Sequence, residues 1–253
     1  MGIIDLHIHT KCSDGTLTPT EVVILAQNKN ISTIAITDHD SVDGVEEAII
    51  AGKEYGVKVI SGAEFSTKSS HGQIHILGYN FKDVDKIKDY LDYKKQDREN
   101  KAREMVRRLN EMGFDISFEK VKSYSADGLI GRPHIAMAMV DAGYATNIKE
   151  VFEKYIAYGS SAYVPSKSLT PEETIQKIVE AEGVACWAHP MSSKLDFGGI
   201  NALVKKYKTH GLKAIEAYYS EYDLEITKKL IEIAEENNLM YTCGTDFHRF
   251  SET

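Results

Sequence analysis

The sequence is short of cysteine, of long apolar runs and of positive charge, and each shortage excludes a class of protein. Three cysteines, Cys12, Cys186 and Cys243, among 253 residues form no paired framework. The expected setting is therefore reducing and cytoplasmic. No apolar stretch approaches the ~18 residues of a membrane-spanning helix. Met1-Gly2 leads straight into a strand pattern, so neither a membrane span nor a signal peptide is expected. Lys and Arg number 30 against 38 Asp and Glu, a formal net charge of −8. That balance argues against a protein that coats duplex DNA, and leaves room for an enzyme handling a nucleotide or a short single strand. Internal repeats and low-complexity segments are missing as well. The length suits one barrel-sized domain with a full core.

What is present starts with the run Ile3-Ile4-Asp5-Leu6-His7-Ile8-His9-Thr10, whose apolar content reads as a buried strand. Residues two apart on a strand share a face, so His7 and His9 project together while Leu6 and Ile8 point away. Asp14 follows a few residues on. Imidazole and carboxylate together suit zinc, manganese or iron. A lone His-x-His is equally compatible with two chance histidines at a strand end, and the rest of the chain decides between these readings.

A capping box at Thr18, Pro19 and Glu21 starts the first helix. A strand over 32–37 runs into Asp38-His39-Asp40, and a helix from about 42 to 55 closes at Gly56. Strands over 57–64 and 73–79 carry Glu64 and His75. The alternation then stops, and 83 to about 163 reads as helical. Residues 82–122 hold 12 basic and 10 acidic side chains, so the insertion is the basic part of an acidic protein. A solvated helix laced with i,i+4 ion pairs accounts for most of these charges. The loop 128–134 carries Arg132, Pro133 and His134, and Pro133 can begin a helix. Alternation resumes with a second capping box at Thr170, Pro171 and Glu173. A strand over 184–188 ends at His189, one over 213–219 carries Glu216, Tyr218 and Tyr219, and one over 239–243 leads to Asp246 and His248.

Seven strands, mostly separated by helices, predict an α/β protein with a parallel sheet closed into a TIM-like barrel. The barrel occupies 1–82 and 166–253. The segment 83–165, between strands four and five, is expected as a helical insertion covering the active site. Parallel barrels place their chemistry at the C-terminal strand ends. His7, His9, His39, Glu64, His75, His189, Asp246 and His248 are all assigned there, and scattered core residues of these types would not choose one end of six strands.

His7-x-His9 with Asp14, Thr37-Asp38-His39-Asp40, Gly62-x-Glu64, Ala188-His189-Pro190 and Asp246-x-His248 resemble the motifs of the PHP (polymerase and histidinol phosphatase) superfamily. Their order is most similar to its small stand-alone nucleotide phosphoesterases, of the 5′-to-3′ exoribonuclease and 3′,5′-bisphosphate nucleotidase type. The run Gly131-Arg132-Pro133-His134-Ile135-Ala136 is typical of that branch. The resemblance implies a distorted seven-stranded (β/α)7 barrel holding two or three divalent metals, manganese, iron or zinc. By motif, His7, His9, Glu64 and Asp246 hold the first metal. Glu64, His75 and His189 hold the second, with Glu64 as the bridge, and Asp14, His39 and His248 hold the third. The chemistry agrees, since one carboxylate can bridge two cations, and metals about 3.5–4 Å apart can activate a water and steady in-line phosphoryl transfer. Aspartate at the third site, where relatives can use histidine, makes that site harder.

The same resemblance makes Glu64, Arg132 and His134 catalytic. Arg132 clamps phosphate oxygens in a bidentate fork, and His134 contacts phosphate or protonates the leaving oxygen. Against this stands the plainer reading that Arg132 caps a carboxylate and His134 packs. Lys167 is a further phosphate-contact candidate. His71 and His210 match no motif, and Asp40 reads as a supporting residue or a helix cap. The implied activity is metal-dependent hydrolysis, by a metal-activated hydroxide, of nucleoside 3′,5′-bisphosphates or the 5′ end of short single-stranded RNA. The alternatives are a histidinol-phosphatase-like enzyme, a non-catalytic metal-binding module, and a polymerase-attached module. The resemblance departs at its end: relatives carry glycine after the last motif histidine and continue, where Arg249–Thr253 stand here.

Overall fold

The computed structural model describes residues 2–83, 85–125, 130–165 and 167–248. Gly128 and Leu129 of the arginine-bearing loop, Ser166 at the expected return to the barrel, and Arg249–Thr253 lie outside the described residues. The chain divides into two compact units, Met1–Leu91 with Ser168–Thr253, and Asp92–Lys167.

The first unit is built on seven strands: β1 (Ile3–Ile8), β2 (Ile31–Ile36), β3 (Lys58–Ser66), β4 (His75–Tyr79), β5 (Val184–Ala188), β6 (Ala214–Tyr219) and β7 (Met240–Gly244). They neighbour one another in chain order. β1–β2–β3 and β5–β6–β7 are parallel, but β4 runs antiparallel to both β3 and β5. The sheet is thus not wholly parallel as expected. The reason is the connection: only residues 67–74 join β3 to β4, too few for the crossover of a dozen or more that parallel neighbours need. β1 and β7 then meet. Ile8 bridges Phe247 in parallel, and the Asp246 and His9 amides donate to the His7 and Phe247 carbonyls, both at 2.9 Å. Asp5 spans the same seam, accepting from the Thr245 amide at 3.0 Å and its hydroxyl at 2.6 Å. The result is a nearly closed barrel.

Strand alternation sorts the core. In β5, Cys186 and Ala188 join Ala35, Leu77 and Ala214 in one buried cluster. Ala185 and Trp187, two apart on the other face, pack with residues of the helices α7 (Pro171–Glu180), α8 (Phe197–Lys208) and α9 (Leu224–Glu236). β1 and β2 pack against α1 (Pro19–Asn28) and α2 (Val45–Tyr55) through Ile8, Ile34, Ile36, Val22, Val23 and Ala48. Both expected capping boxes form. Thr18 and Glu21 bond reciprocally at the start of α1, as do Thr170 and Glu173 at α7.

The second unit has a core of its own around Leu109, Val121, Ile135, Met139, Val151 and Ile156. α3 (Asp85–Glu111) ends in it, followed by α4 (Phe118–Lys122), α5 (Arg132–Asp141) and α6 (Ile148–Val151). The charges of α3 pair along its surface. Arg103 bonds Glu99 at 2.7 Å, Arg108 bonds Glu104 at 3.0 Å, and Arg107 pairs with Glu104 and Glu111. Among the described residues no helix is long and apolar enough to cross a membrane.

Candidate metal centre

Glu64 lies on β3 between two neighbours that carry histidines. On one side His39 forms an isolated parallel bridge with it, fixed by the Asp40 amide on the Glu64 carbonyl at 2.8 Å and the Glu64 amide on the Asp38 carbonyl at 3.1 Å. On the other side β4 places His75 opposite Ser66 and beside Ala188. The reversal of β4 is what makes this possible. His75 is the first residue of its strand, and in an antiparallel strand the first residue lies where its neighbours end.

The Glu64 carboxylate is buried, and five imidazoles divide between its oxygens. Oε1 lies 2.8 Å from His75 Nδ1 and 3.0 Å from His189 Nε2. Oε2 lies 3.4 Å from His7 Nε2, 3.2 Å from His9 Nε2 and 3.0 Å from His39 Nδ1. Asp246 Oδ1 completes the first cluster at 3.2 Å from His7 Nε2 and 3.0 Å from His9 Nε2. The Tyr219 hydroxyl donates to Asp246 Oδ2 at 3.1 Å and so leaves Oδ1 to the histidines. Asp14 Oδ1 sits 3.2 Å from His248 Nε2, and Oδ2 sits 3.8 Å from His39 Nε2. Three sets of ligand atoms lie within 4.8 Å of one another: His7, His9, Glu64 and Asp246; His39, Glu64 and His75; and His9, Asp14, His39 and His248. His9 and His39 thus each stand in two sets, where the motif reading gave each to one. The centre grades outward, from fully buried His7 and His9 to His248, whose side chain is 32% exposed.

These residues fit divalent cations on a structural observation. His7 Nε2, His9 Nε2, His39 Nδ1, Asp14 Oδ1 and Asp246 Oδ1 are buried and make no hydrogen bond, although cluster partners stand close by. A buried polar atom without a partner costs roughly 1–3 kcal/mol. Several aimed inward at one locus are what a cation would satisfy, with neutral imidazole and carboxylate as its donors. The electrostatics agree. Burial lowers the affinity of His7 and His9 for protons, but Glu216 and Glu64 raise His7 well above the usual range, and Asp246 and Glu64 take His9 to about 10. Burial carries His39 down to about 4. Burial opposes ionisation of Glu64, yet the imidazoles of His39, His75 and His7 hold it well below the usual carboxylate range. Strong, opposed shifts packed this closely mark a functional-site candidate.

Asp38 accepts from the Thr10 amide and hydroxyl, both at 2.7 Å, and from Ser13 Oγ at 2.6 Å, pinning the turn that carries Asp14. Asp40, His189 and Asp246 all have positive φ, 50°, 28° and 53°, conformations that non-glycine residues hold only where the surroundings impose them. Residue reasoning alone did not single out Glu216. It is fully buried and bonds His7 Nδ1 and the His189 amide. Its signal was a carboxylate in the one strand left without an assigned site residue. His71 is exposed and His210 half-buried, and neither belongs to the centre.

The remaining candidates belong to the second unit. Arg132 opens α5, with Nη1 3.4 Å from the Ile156 carbonyl and its guanidinium over the Phe152 and Tyr163 rings at 5.4 and 5.9 Å. Among the described residues it forms no ion pair with a carboxylate. His134 Nδ1 accepts from the Gly131 amide at 3.0 Å. Lys167 is exposed, and its carbonyl accepts from the Tyr93 hydroxyl at 3.4 Å.

A barrel with these clusters at its strand ends is the frame of a metal-dependent hydrolase. Residues 5–181 match the family model described as the PHP domain, and the chain belongs to that family. Its class is that of hydrolases acting on phosphate esters. It is 34% identical to a 5′-3′ exoribonuclease of Haemophilus influenzae, over 96% of this chain and 89% of that one. It is 31% identical to a 3′,5′-nucleoside bisphosphate phosphatase of Chromobacterium violaceum, over 98% of this chain and 88% of the relative. Among solved structures, an amidohydrolase from Chromobacterium violaceum with bound sulfate superposes with a TM-score of 0.91 at 30% identity, covering 98% and 88% of the two chains. A metal-dependent phosphoesterase from Bifidobacterium adolescentis gives 0.87 at 29%, covering 97% and 87%.

Proposed function

We propose that this chain hydrolyses phosphate esters of nucleotides, namely nucleoside 3′,5′-bisphosphates and the 5′ end of short single-stranded RNA, with two or three divalent metals bound around Glu64. The observation that carries the metal reading is the division of five imidazoles between the two oxygens of one buried carboxylate. The substrate class is supported by relatives named for RNA and nucleoside bisphosphates that align over nearly the whole chain. His7, His9, Glu64 and Asp246 hold one cation, Glu64 with His75 and His189 a second, and Asp14, His39 and His248 a third. Manganese, iron or zinc held there supplies Lewis acidity toward phosphoryl oxygens and lowers the pKa of water. The chain's own residues do the rest. Glu64 and Asp246 fix the donors and balance charge. Arg132 supplies a guanidinium for a phosphate, and among the described residues no carboxylate neutralises its charge. With Nδ1 accepting from Gly131, His134 carries its proton on Nε2, the tautomer that can donate to a phosphate or leaving oxygen. Lys167 adds positive charge.

The test is a turnover series on manganese-reconstituted enzyme. The expected order of kcat/KM places a nucleoside 3′,5′-bisphosphate and 5′-phosphorylated short RNA above histidinol phosphate, with no action on duplex DNA. Preference for histidinol phosphate would move the assignment to small-molecule phosphatases.

A further inference from the structure

Glu216 is the one fully buried carboxylate on β6, and its oxygens reach two of the proposed ligand residues. Oε1 and Oε2 lie 3.1 and 3.2 Å from His7 Nδ1. Oε2 also accepts from the His189 amide at 2.8 Å. His7 stands on β1 and His189 follows β5, so a single side chain links three strands beneath the centre. His189 holds a φ of 28°, and an amide anchored at that point keeps its backbone there. The strand itself is shaped for this. The β6–β7 register shifts between Glu216 and Tyr218, a local irregularity of the kind that re-aims a side chain. On β7, Gly244 leaves the required room. A Cβ there would stand 2.4 Å from Glu216 Oε1 and 2.3 Å from His7 Cβ.

We propose that Glu216 is the positioning residue of the metal centre: it accepts the hydrogen bond of His7 Nδ1–H, fixes the tautomer whose Nε2 lone pair faces Glu64 and Asp246, and anchors the His189 backbone. An imidazole can present Nε2 to a cation only when its proton sits on Nδ1, and a carboxylate acceptor at Nδ1 holds it there and increases the basicity of Nε2. Among the described residues the other imidazoles are held differently: His248 Nδ1 bonds the Asp246 backbone carbonyl at 2.8 Å, and His75 and His39 turn Nδ1 toward Glu64 itself, at 2.8 and 3.0 Å. His9 Nδ1 meets only the Ser13 hydroxyl, at 3.4 Å, and Asp14 Oδ1 at 3.8 Å. Among the described residues Glu216 bonds His7 and the His189 amide and no member of the set His9, Asp14, His39 and His248, so its influence falls on one part of the centre.

The inference rests on the metal reading above, and the test separates the two. Divalent zinc and manganese are titrated against wild type, Glu216→Gln and Glu216→Asp by chelator competition, with circular dichroism as the fold control. Expected is a roughly 10–100-fold loss of affinity for one metal equivalent in Glu216→Gln, partial recovery in Glu216→Asp, and an unchanged equivalent at the Asp14 set. Equal affinities in wild type and Glu216→Gln would overturn the inference and leave the metal reading intact. A wild type that binds no divalent metal would overturn the metal reading itself. Should Glu216→Gln not fold, nitrogen-15 imidazole spectra of the zinc-loaded wild type decide. A proton on His7 Nδ1 is expected, and a proton on Nε2 overturns the proposal.

Discussion

At Glu64, each carboxylate oxygen faces its own group of imidazoles, so in the proposed centre the charge of this one side chain would serve more than one cation. Glu64→Gln keeps the shape and removes the charge. It is expected to lower metal content by more than one equivalent and kcat by at least about 100-fold, on the scale of losing a group that acts in the transition state. Elemental analysis alongside turnover checks both, and unchanged metal content would remove Glu64 from its bridging role. Arg132 belongs to the same scale. Arg132→Ala is expected to leave metal content and fold intact while kcat/KM falls about 100-fold or more, close to 3 kcal/mol for a charge-assisted contact to a phosphate. Arg132→Lys is expected to recover only part, because an ammonium has no fork. Loss on a nucleoside 3′,5′-bisphosphate exceeding that on bis(p-nitrophenyl) phosphate would place Arg132 on the second phosphate, and no loss on either would exclude it from catalysis.

At the scale of elements, β4 shows what was legible and what was not. Its apolar run and its histidine were plain in the sequence, as were the capping boxes at Thr18 and Thr170, because these depend on residues a few positions apart. Its direction was not, because strand pairing is a long-range property. The missing helix between Glu64 and His75 was the available signal, and it was outweighed by the helices on either side. The motif residues His7, His9, Asp14, His39, Glu64, His75, Asp246 and His248 gather in the three sets, His189 stands in none of them, and the sharing of His9 and His39 had no sequence signal. That His9 and His39 each stand in two sets follows from β1 and β2 lying side by side, which no spacing encodes. Glu216 stayed hidden because its partners are 209 and 27 residues away. The caps give a clean control of element stability. Thr18→Ala and Thr170→Ala are each expected to cost about 1 kcal/mol, the usual worth of an N-cap hydroxyl. Thermal denaturation measures this. Altered metal content in either variant would mean that α1 or α7 is coupled to the centre rather than merely supporting the barrel.

For the whole molecule, the centre ties stability to pH and to metal. In metal-free protein His9 titrates at about 10 and His7 and His189 are also raised. Their protonation therefore contributes stability that is complete below about 6.5 and disappears as pH rises toward their folded values. His39 runs the other way. Held near 4, it contributes above about 6.5 and loses its contribution as pH falls. Glu64, Asp14 and Asp246 are lowered, so their contribution is present above roughly 4.5 and lost in acid. With three raised imidazoles against one lowered, the Tm of metal-free protein is expected to fall from pH 6.5 to 10. Metal requires neutral imidazoles and releases their protons, so the Tm increment from zinc or manganese is expected to grow over the same interval. An increment independent of pH would show that the metals bind elsewhere.

The most direct measurement is phosphate release from a nucleoside 3′,5′-bisphosphate by one preparation, assayed after exhaustive chelation and again after manganese is returned. The predicted result is no release from the chelated enzyme, full recovery with manganese, and no recovery in Glu64→Gln. Undiminished turnover by enzyme shown to be metal-free would contradict the account, because the imidazoles and carboxylates gathered at the barrel mouth would then have no part in the reaction.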